Sequence, residues 1–250
     1  MSARSVRTGD EPARRKPTEW CLRLASYNIR KAVGLDWKRR PERILAVLDE
    51  IRPDVVVLQE ADKRLGDRPA AIPLGLLAQH GTFVHLDPGP GPSLGWHGNA
   101  ILVRKGLRAE VVDRIDLPGI EPRGALVARV KPESGRGMAI VVAAHLGLNR
   151  GSRHRQIGTI LSAVRRYRIP TVVAGDLNER APDRLLAPFG PHLRLVTPGP
   201  SFHAAHPFVA LDHLILNGRL RVEQSQVHVT PLSRVASDHL PIWADLAIPL

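Results

Sequence analysis

Residues 54–59 read DVVVLQ, an apolar run with no polar residue alternating through it. A strand with one wet face alternates apolar and polar side chains, so this run belongs to a strand buried on both faces. Other strands are expected at residues 22–29, 82–86, 99–103, 109–116, 124–131, 138–144, 171–174, 193–196, 211–216, 226–229 and 242–246. Helical spacing through Ile44, Val47, Leu48 and Ile51 predicts a helix over residues 37–51, ended by Pro53. A short helix is expected at 69–80 and a basic amphipathic one at 152–167. Residues 87–98, DPGPGPSLGWHG, must form a loop. Each half of the chain thus holds one strand–helix–strand unit, and hairpins lie between them. The expected fold is α/β: two mixed sheets packed face to face with helices outside.

The chain has 250 residues and 43% hydrophobic content, enough for a sizeable core. Aromatic residues make up only 4%, so Leu, Val, Ile and Ala must build that core. One domain is expected over residues 20–250, preceded by a disordered basic tail over 1–19 with no apolar signal region. No stretch approaches the length of a membrane span. The single cysteine, Cys21, excludes an internal disulfide and a cysteine-based metal cluster. It fits a reducing compartment, and a cytoplasmic monomer is expected. The formal charge is +12, nearly all of it arginine. Such a surface favours polyanions, although an arginine-rich composition alone gives the same number.

The run TVVAGDLN ends in an acid and an amide one residue apart, Asp176 and Asn178. Alternation at a strand end would point both to the same side. Turn chemistry explains the same residues, so other strand ends must decide. The first strand ends in Asn28, the second in Gln59-Glu60 and MAIVVAAH in His145. VALDHLIL carries Asp212 in mid-strand, and Asp238-His239 precedes the last strand. Together these look like one convergent site. Carboxylate and amide oxygens suit a hard cation such as Mg²⁺. Separated histidines with acids suit acid–base work, and the combination points to phosphoester hydrolysis.

The segments ASYNIR, VVVLQE, HGNAILV, PRGAL, VAAHLG, VAGDLN, ALDHLIL and ASDHLPI, in this order, resemble the endonuclease/exonuclease/phosphatase (DNase I-like) superfamily over residues 22–246. The resemblance implies a four-layer α/β sandwich and a Mg²⁺-dependent hydrolase, with Mn²⁺ as a substitute. Glu60 resembles the principal metal ligand, Asn28 its partner, and Asp238 a second metal-side acid or else a cap. Asp176 resembles the residue that orients or deprotonates the attacking water. Asn178 resembles the amide that holds the phosphate. His239 resembles the histidine beside the phosphate, and Asp212 the acid that fixes its tautomer. His145 resembles a histidine of the DNase I, sphingomyelinase and deadenylase branch. There it protonates the leaving oxygen or binds phosphate. DNase I-like nucleases pair it with a glutamate that has no match near GNAILV. Arg123, Arg30 and Asn99 fit family positions near a phosphate, and a turn or surface role remains open for each. His97 and His203 sit in loops near matching motifs. The substrate implied first is nucleic acid. A phosphatase or phospholipid-type phosphodiesterase on the same scaffold is the alternative, and a non-catalytic binding module comes third.

Overall fold

The computed structural model describes residues 19–63 and 67–250. The tail expected over 1–19 lies outside them except for Glu19, which already pairs with Pro249 in a strand. The strands are β1 Glu19–Asn28, β2 Val55–Gln59, β3 Phe83–His85, β4 Ala100–Arg104, β5 Leu107–Leu117 and β6 Arg123–Pro132. They continue with β7 Ala139–His145, β8 Thr171–Asp176, β9 Leu193–Val196, β10 Asp212–Asn217, β11 Arg221–Val227 and β12 Ile242–Pro249. The helices are α1 Pro41–Ile51, α2 Leu74–His80, α3 Arg150–Val164, α4 Pro182–Leu186 and α5 Ser233–Ala236.

Two six-stranded mixed sheets form, ordered β11-β12-β1-β2-β4-β3 and β5-β6-β7-β8-β10-β9. β1 and β2 are parallel neighbours joined through α1, and β7 and β8 are parallel neighbours joined through α3. The other pairings are antiparallel. The run in β2 shows why four layers result. Val55 and Val57 face the other sheet and share a core with Leu24, Val141, Val172 and Leu214. Val56 and Leu58 point the opposite way and pack with Ile44 and Leu48 of α1. On the far side, Ile140, Val142 and Val173 meet Ile157 and Ile160 of α3. Each fully buried Val, Leu or Ile contributes about 1.5–3 kcal/mol of transfer free energy, so both faces of both sheets hold the layers together.

Several boundaries differ from expectation for local reasons. α1 begins at Pro41, because proline suits the first helical turn, and residues 37–40 stay outside it. α2 is confined to seven residues between Pro73 and the left-handed Gly81. α3 starts two residues early, where Asn149 Oδ1 accepts from the Ser152 N–H at 3.2 Å. β11 starts earlier than the expected 226–229 and forms the edge of its sheet, paired with β12. Among the described residues, no helix is long and apolar enough to cross a membrane.

Candidate active site

The parallel strands of both sheets end on the same side of the molecule, and the polar residues gather there. In the second sheet, β7 and β8 pair His145 with Asp176, and β8 and β10 pair Asp176 with Asp212. Three side chains thus form a row across neighbouring strands, spaced by the sheet itself. Gly175 makes the row possible: a Cβ there would come within 1.8 Å of the Ala144 carbonyl oxygen. Only glycine lets β7 approach at the residue before Asp176. Asn28, at the end of β1 in the other sheet, donates from Nδ2 to Asp176 Oδ2 at 3.0 Å and closes the gap between sheets.

His239 arrives from the loop before β12. Its Nδ1 donates to Asp212 Oδ2 at 2.8 Å, and its Nε2 stands 3.6 Å from Asp176 Oδ2. His145 Nε2 stands 3.4 Å from the same Asp176 oxygen. Asp176 therefore lies between two imidazoles. Asp212 Oδ2 also accepts from Ser201 Oγ at 2.5 Å, while its Oδ1 is buried with no hydrogen-bond partner among the described residues. Asp212 opens β10 rather than sitting in mid-strand, and the Leu211 carbonyl just before it accepts from Leu177 N–H.

Burial sets the electrostatics. It pushes the Asp176 carboxyl up to about 6, and the charge of Asp212 adds to the rise. For His239, burial pulls toward the neutral form. The charge and hydrogen bond of Asp212, then the charge of Asp176, outweigh it and carry the imidazole up to about 10. A carboxylate left ionised without such a partner would be costly in this setting.

Asn178 does not share the strand geometry expected of it. The chain turns at Leu177, and Asn178 takes a left-handed conformation with φ 51°. Its backbone N–H donates to Asp176 Oδ1 at 2.9 Å, and its Nδ2 donates to the Leu146 carbonyl at 2.8 Å. It lines a hollow with Phe202, Leu211 and His239. The two residues are close because the acid closes a turn onto the amide, not because both project from one strand.

Glu60 follows β2, also left-handed at φ 50°. Its carboxylate pairs with the Lys31 ammonium. With His145 and Arg123 these residues border a cavity of about 190 Å³. Arg123 is buried, donates from Nη2 to Glu121 Oε2 at 2.8 Å, and has an Nε without a hydrogen-bond partner among the described residues. Asp238 Oδ2 stands 3.4 Å from Arg30 Nε. Asn99 is fully buried and donates from Nδ2 to the Gly124 carbonyl at 2.9 Å. It braces the loop, one residue after Gly98, which lines the cavity. His97 bridges Arg68 and Asp116 at the rim. His203 packs against Phe202, whose ring lies 5.0 Å from that of His239.

Two places can hold a metal ion. Asp176, Asp212 and His239 each offer a ligand atom within 4.8 Å of the others. In that group Asp212 Oδ2 and His239 Nδ1 are already engaged with each other. At the second place, the Lys31 ammonium sits on Glu60 where a cation could, and the donors that line the same cavity are the carboxylates of Glu60 and Asp62. That chemistry fits Mg²⁺. Four residues near the site carried no signal in the sequence: Ser201, Lys31, and the buried Arg153–Glu179 pair at 2.9 Å beside Asn178. Only tertiary contact reveals them.

The endonuclease/exonuclease/phosphatase family model matches residues 25–239. The chain belongs to that family, and its buried Asp/His cluster is consistent with a phosphoesterase. Among curated relatives, the uncharacterized protein YbhP of Escherichia coli K12 is 28% identical over 166 residues. That match takes in 61% of this chain and 63% of YbhP, so it spans less than two thirds of its relative. The fold is shared with an endonuclease/exonuclease/phosphatase from Bacteroides vulgatus at TM-score 0.72 and 18% identity, covering 92% of this chain and 99% of the other. It is shared too with D. rerio TDP2 in complex with a single-strand DNA product, at TM-score 0.68 and 17% identity, covering 90% and 98%.

Proposed function

We propose that the protein is a Mg²⁺-dependent phosphodiesterase that hydrolyses nucleic acid, with Mn²⁺ able to replace Mg²⁺. The observation that carries the proposal is the row His145–Asp176–Asp212 with His239 closing on it. Asp176, buried and pushed up to about 6, is suited to accept a proton from water as the water attacks phosphorus. His239, kept as imidazolium by Asp212 and raised to about 10, faces the developing charge on a phosphate oxygen. As the ester P–O bond breaks, His145 protonates the leaving oxygen or holds a phosphate oxygen. Asn178 retains a second amide N–H beyond the one given to Leu146. Arg123 lines the cavity, and Arg30 stands close by at Asp238.

Glu60 and Asn28, with Asp238 at the edge, would hold the cation. Bound there, it would supply charge neutralisation at the phosphoryl oxygens. Nucleic acid is favoured over other phosphodiesters by the charge of +12 and by the single-strand DNA product held by the structurally similar TDP2. The test is a panel with Mg²⁺: single-stranded DNA, RNA, duplex DNA, sphingomyelin and inositol phosphates, with Asp176→Asn and EDTA as controls. Cleavage of a polynucleotide, lost in both controls, is expected. Cleavage of only a lipid or a phosphomonoester would replace this reading with the phospholipase or phosphatase one.

A further inference from the structure

Trp37 is 78% exposed, on the loop that follows Asn28. An exposed tryptophan on a slack loop would mean little, but this loop is held at every turn. Leu35 N–H donates to the Val235 carbonyl at 3.0 Å, and Trp37 N–H donates to that of Gly34 at 3.0 Å. Gly34 N–H donates to the Lys38 carbonyl at 3.1 Å, and Arg40 N–H to that of Ala32 at 2.8 Å. Arg43 of α1 grips both oxygens of Asp36 at 3.0 and 2.5 Å. The backbone at Trp37 is itself left-handed, φ 58°, a conformation uncommon for a bulky side chain. The fold therefore fixes a large aromatic ring in water, at a site where a smaller polar residue would strain the loop less.

The ring's surroundings indicate what it is for. The Arg30 guanidinium lies 4.5 Å from the ring centroid and also reaches Asp238 beside His239. Arg30 thus links the tryptophan to the catalytic cluster. Lys38, Arg39 and Arg40, next in sequence, are exposed. A rigid aromatic face bordered by cations, within reach of the scissile phosphate, is the arrangement that single-stranded nucleic acid uses: bases stack and phosphates meet cations.

We infer that Trp37, with Arg30 beneath it, is a stacking platform for one unpaired nucleobase adjacent to the scissile phosphate, and that Lys38, Arg39 and Arg40 receive the neighbouring phosphates. The inference rests on the nucleic-acid reading above. It gives that reading a preference for single strands, because a base inside a duplex has both faces covered by stacked neighbours.

The test uses the full chain and a fluorescein-labelled decathymidylate, in EDTA so that the strand is not cut. Trp37→Ala should weaken binding by roughly 5- to 150-fold, the range for loss of one base stack. Trp37→Phe should recover much of that. A series of the same strand, each lacking the base at one position, provides the second arm. Removing one particular base should weaken wild-type binding as much as Trp37→Ala does, and should add nothing in that variant. Circular dichroism checks that the loop change leaves the fold intact. If wild type and Trp37→Ala bind the strand equally, the platform is wrong while the nucleic-acid reading stands. If wild type neither binds nor cuts the strand, both fall together. Trp37-dependent binding to anionic phosphatidylserine vesicles, with none to the strand, would assign the ring to a lipid surface and overturn the inference.

Discussion

Asp212 is the residue around which the site is organised, because it is fully buried and one of its oxygens serves two donors, Ser201 and His239. With Asp212→Asn, the main support of the imidazolium is gone, and only the charges of Asp176 and Asp238 are left to oppose burial. The His239 titration, followed by NMR, should then move well down from about 10. Turnover should fall by roughly 10²-fold or more. The double variant with His239→Ala should be little worse than His239→Ala alone, since groups acting as one unit are not additive. Losses that multiply would mean the two act independently. The same raised value makes His239 a source of stability that is fully present below about pH 6.5 and lost as pH rises through about 10. His213, one residue from Asp212, has the opposite sign. Burial holds it below its ordinary value, its Nε2 donates to the Glu179 carbonyl at 3.0 Å, and Nδ1 accepts from Thr197 Oγ1 at 2.9 Å. That neutral tautomer gives stability present above about pH 6.5 and lost as pH falls through the folded value. Urea unfolding at several pH values should show a shallower acid-side loss in His213→Gln than in wild type; equal slopes would remove His213 from the account. At Glu60, the change to Gln removes the carboxylate against which Lys31 sits. It should raise the Mg²⁺ concentration needed for half-maximal rate by tenfold or more with little change in unfolding midpoint, and unchanged Mg²⁺ dependence would place the ion elsewhere.

At the scale of elements, the loops after β7 and β8 must keep a fixed separation for His145 and Asp176 to stay in register, and α3 supplies the clamp. Arg153 sends Nε and Nη2 to Glu179 Oε2 at 3.2 and 2.9 Å, and Nη1 to the Leu148 carbonyl at 2.5 Å. Arg153→Met would leave Glu179 without its partner. It should cost about 3–5 kcal/mol in denaturant unfolding, and pairing it with Glu179→Met should recover most of the loss. An unchanged midpoint in the single variant would mean that solvent reaches the pair. This clamp also marks where reading the sequence stops. β2, β7 and β8 were legible because a strand covered on both faces leaves a continuous apolar run, and their polar ends were legible because each interrupts such a run. Arg153 was not: within a helix with an arginine excess, nothing local separates a buried arginine from an exposed one. Ser201 gave no signal either, since its partner lies 11 residues away across a turn that only the folded chain defines. The expected alternation of Asp176 and Asn178 failed for a related reason. A strand's period of two holds only while the ladder lasts, and it ends at Asp176.

For the whole molecule, the two sheets bring chemistry from distant parts of the chain to one edge, and the chain as a whole carries a charge of +12. The two properties are separable by experiment, because catalysis depends on a few buried groups and encounter depends on many exposed ones. If single-stranded nucleic acid is the substrate, each phosphate contacted by a lysine or arginine releases counterions, and log affinity should fall with log salt at about 0.7 per phosphate. About four contacts would give roughly a 50-fold loss of affinity between 50 and 200 mM salt. The rate at saturating substrate should change far less, because the His239–Asp212 pair and Asp176 are buried and poorly screened. Charge-reversal of Arg39 and Arg40 together should reduce the salt slope by about two contacts while leaving the saturating rate near that of wild type. Fluorescence anisotropy across a salt series, with single-turnover cleavage at saturation, measures both quantities on one preparation. A flat affinity with intact cleavage would mean that the basic surface plays no part in holding the substrate, and would point to a small or uncharged-tail phosphodiester.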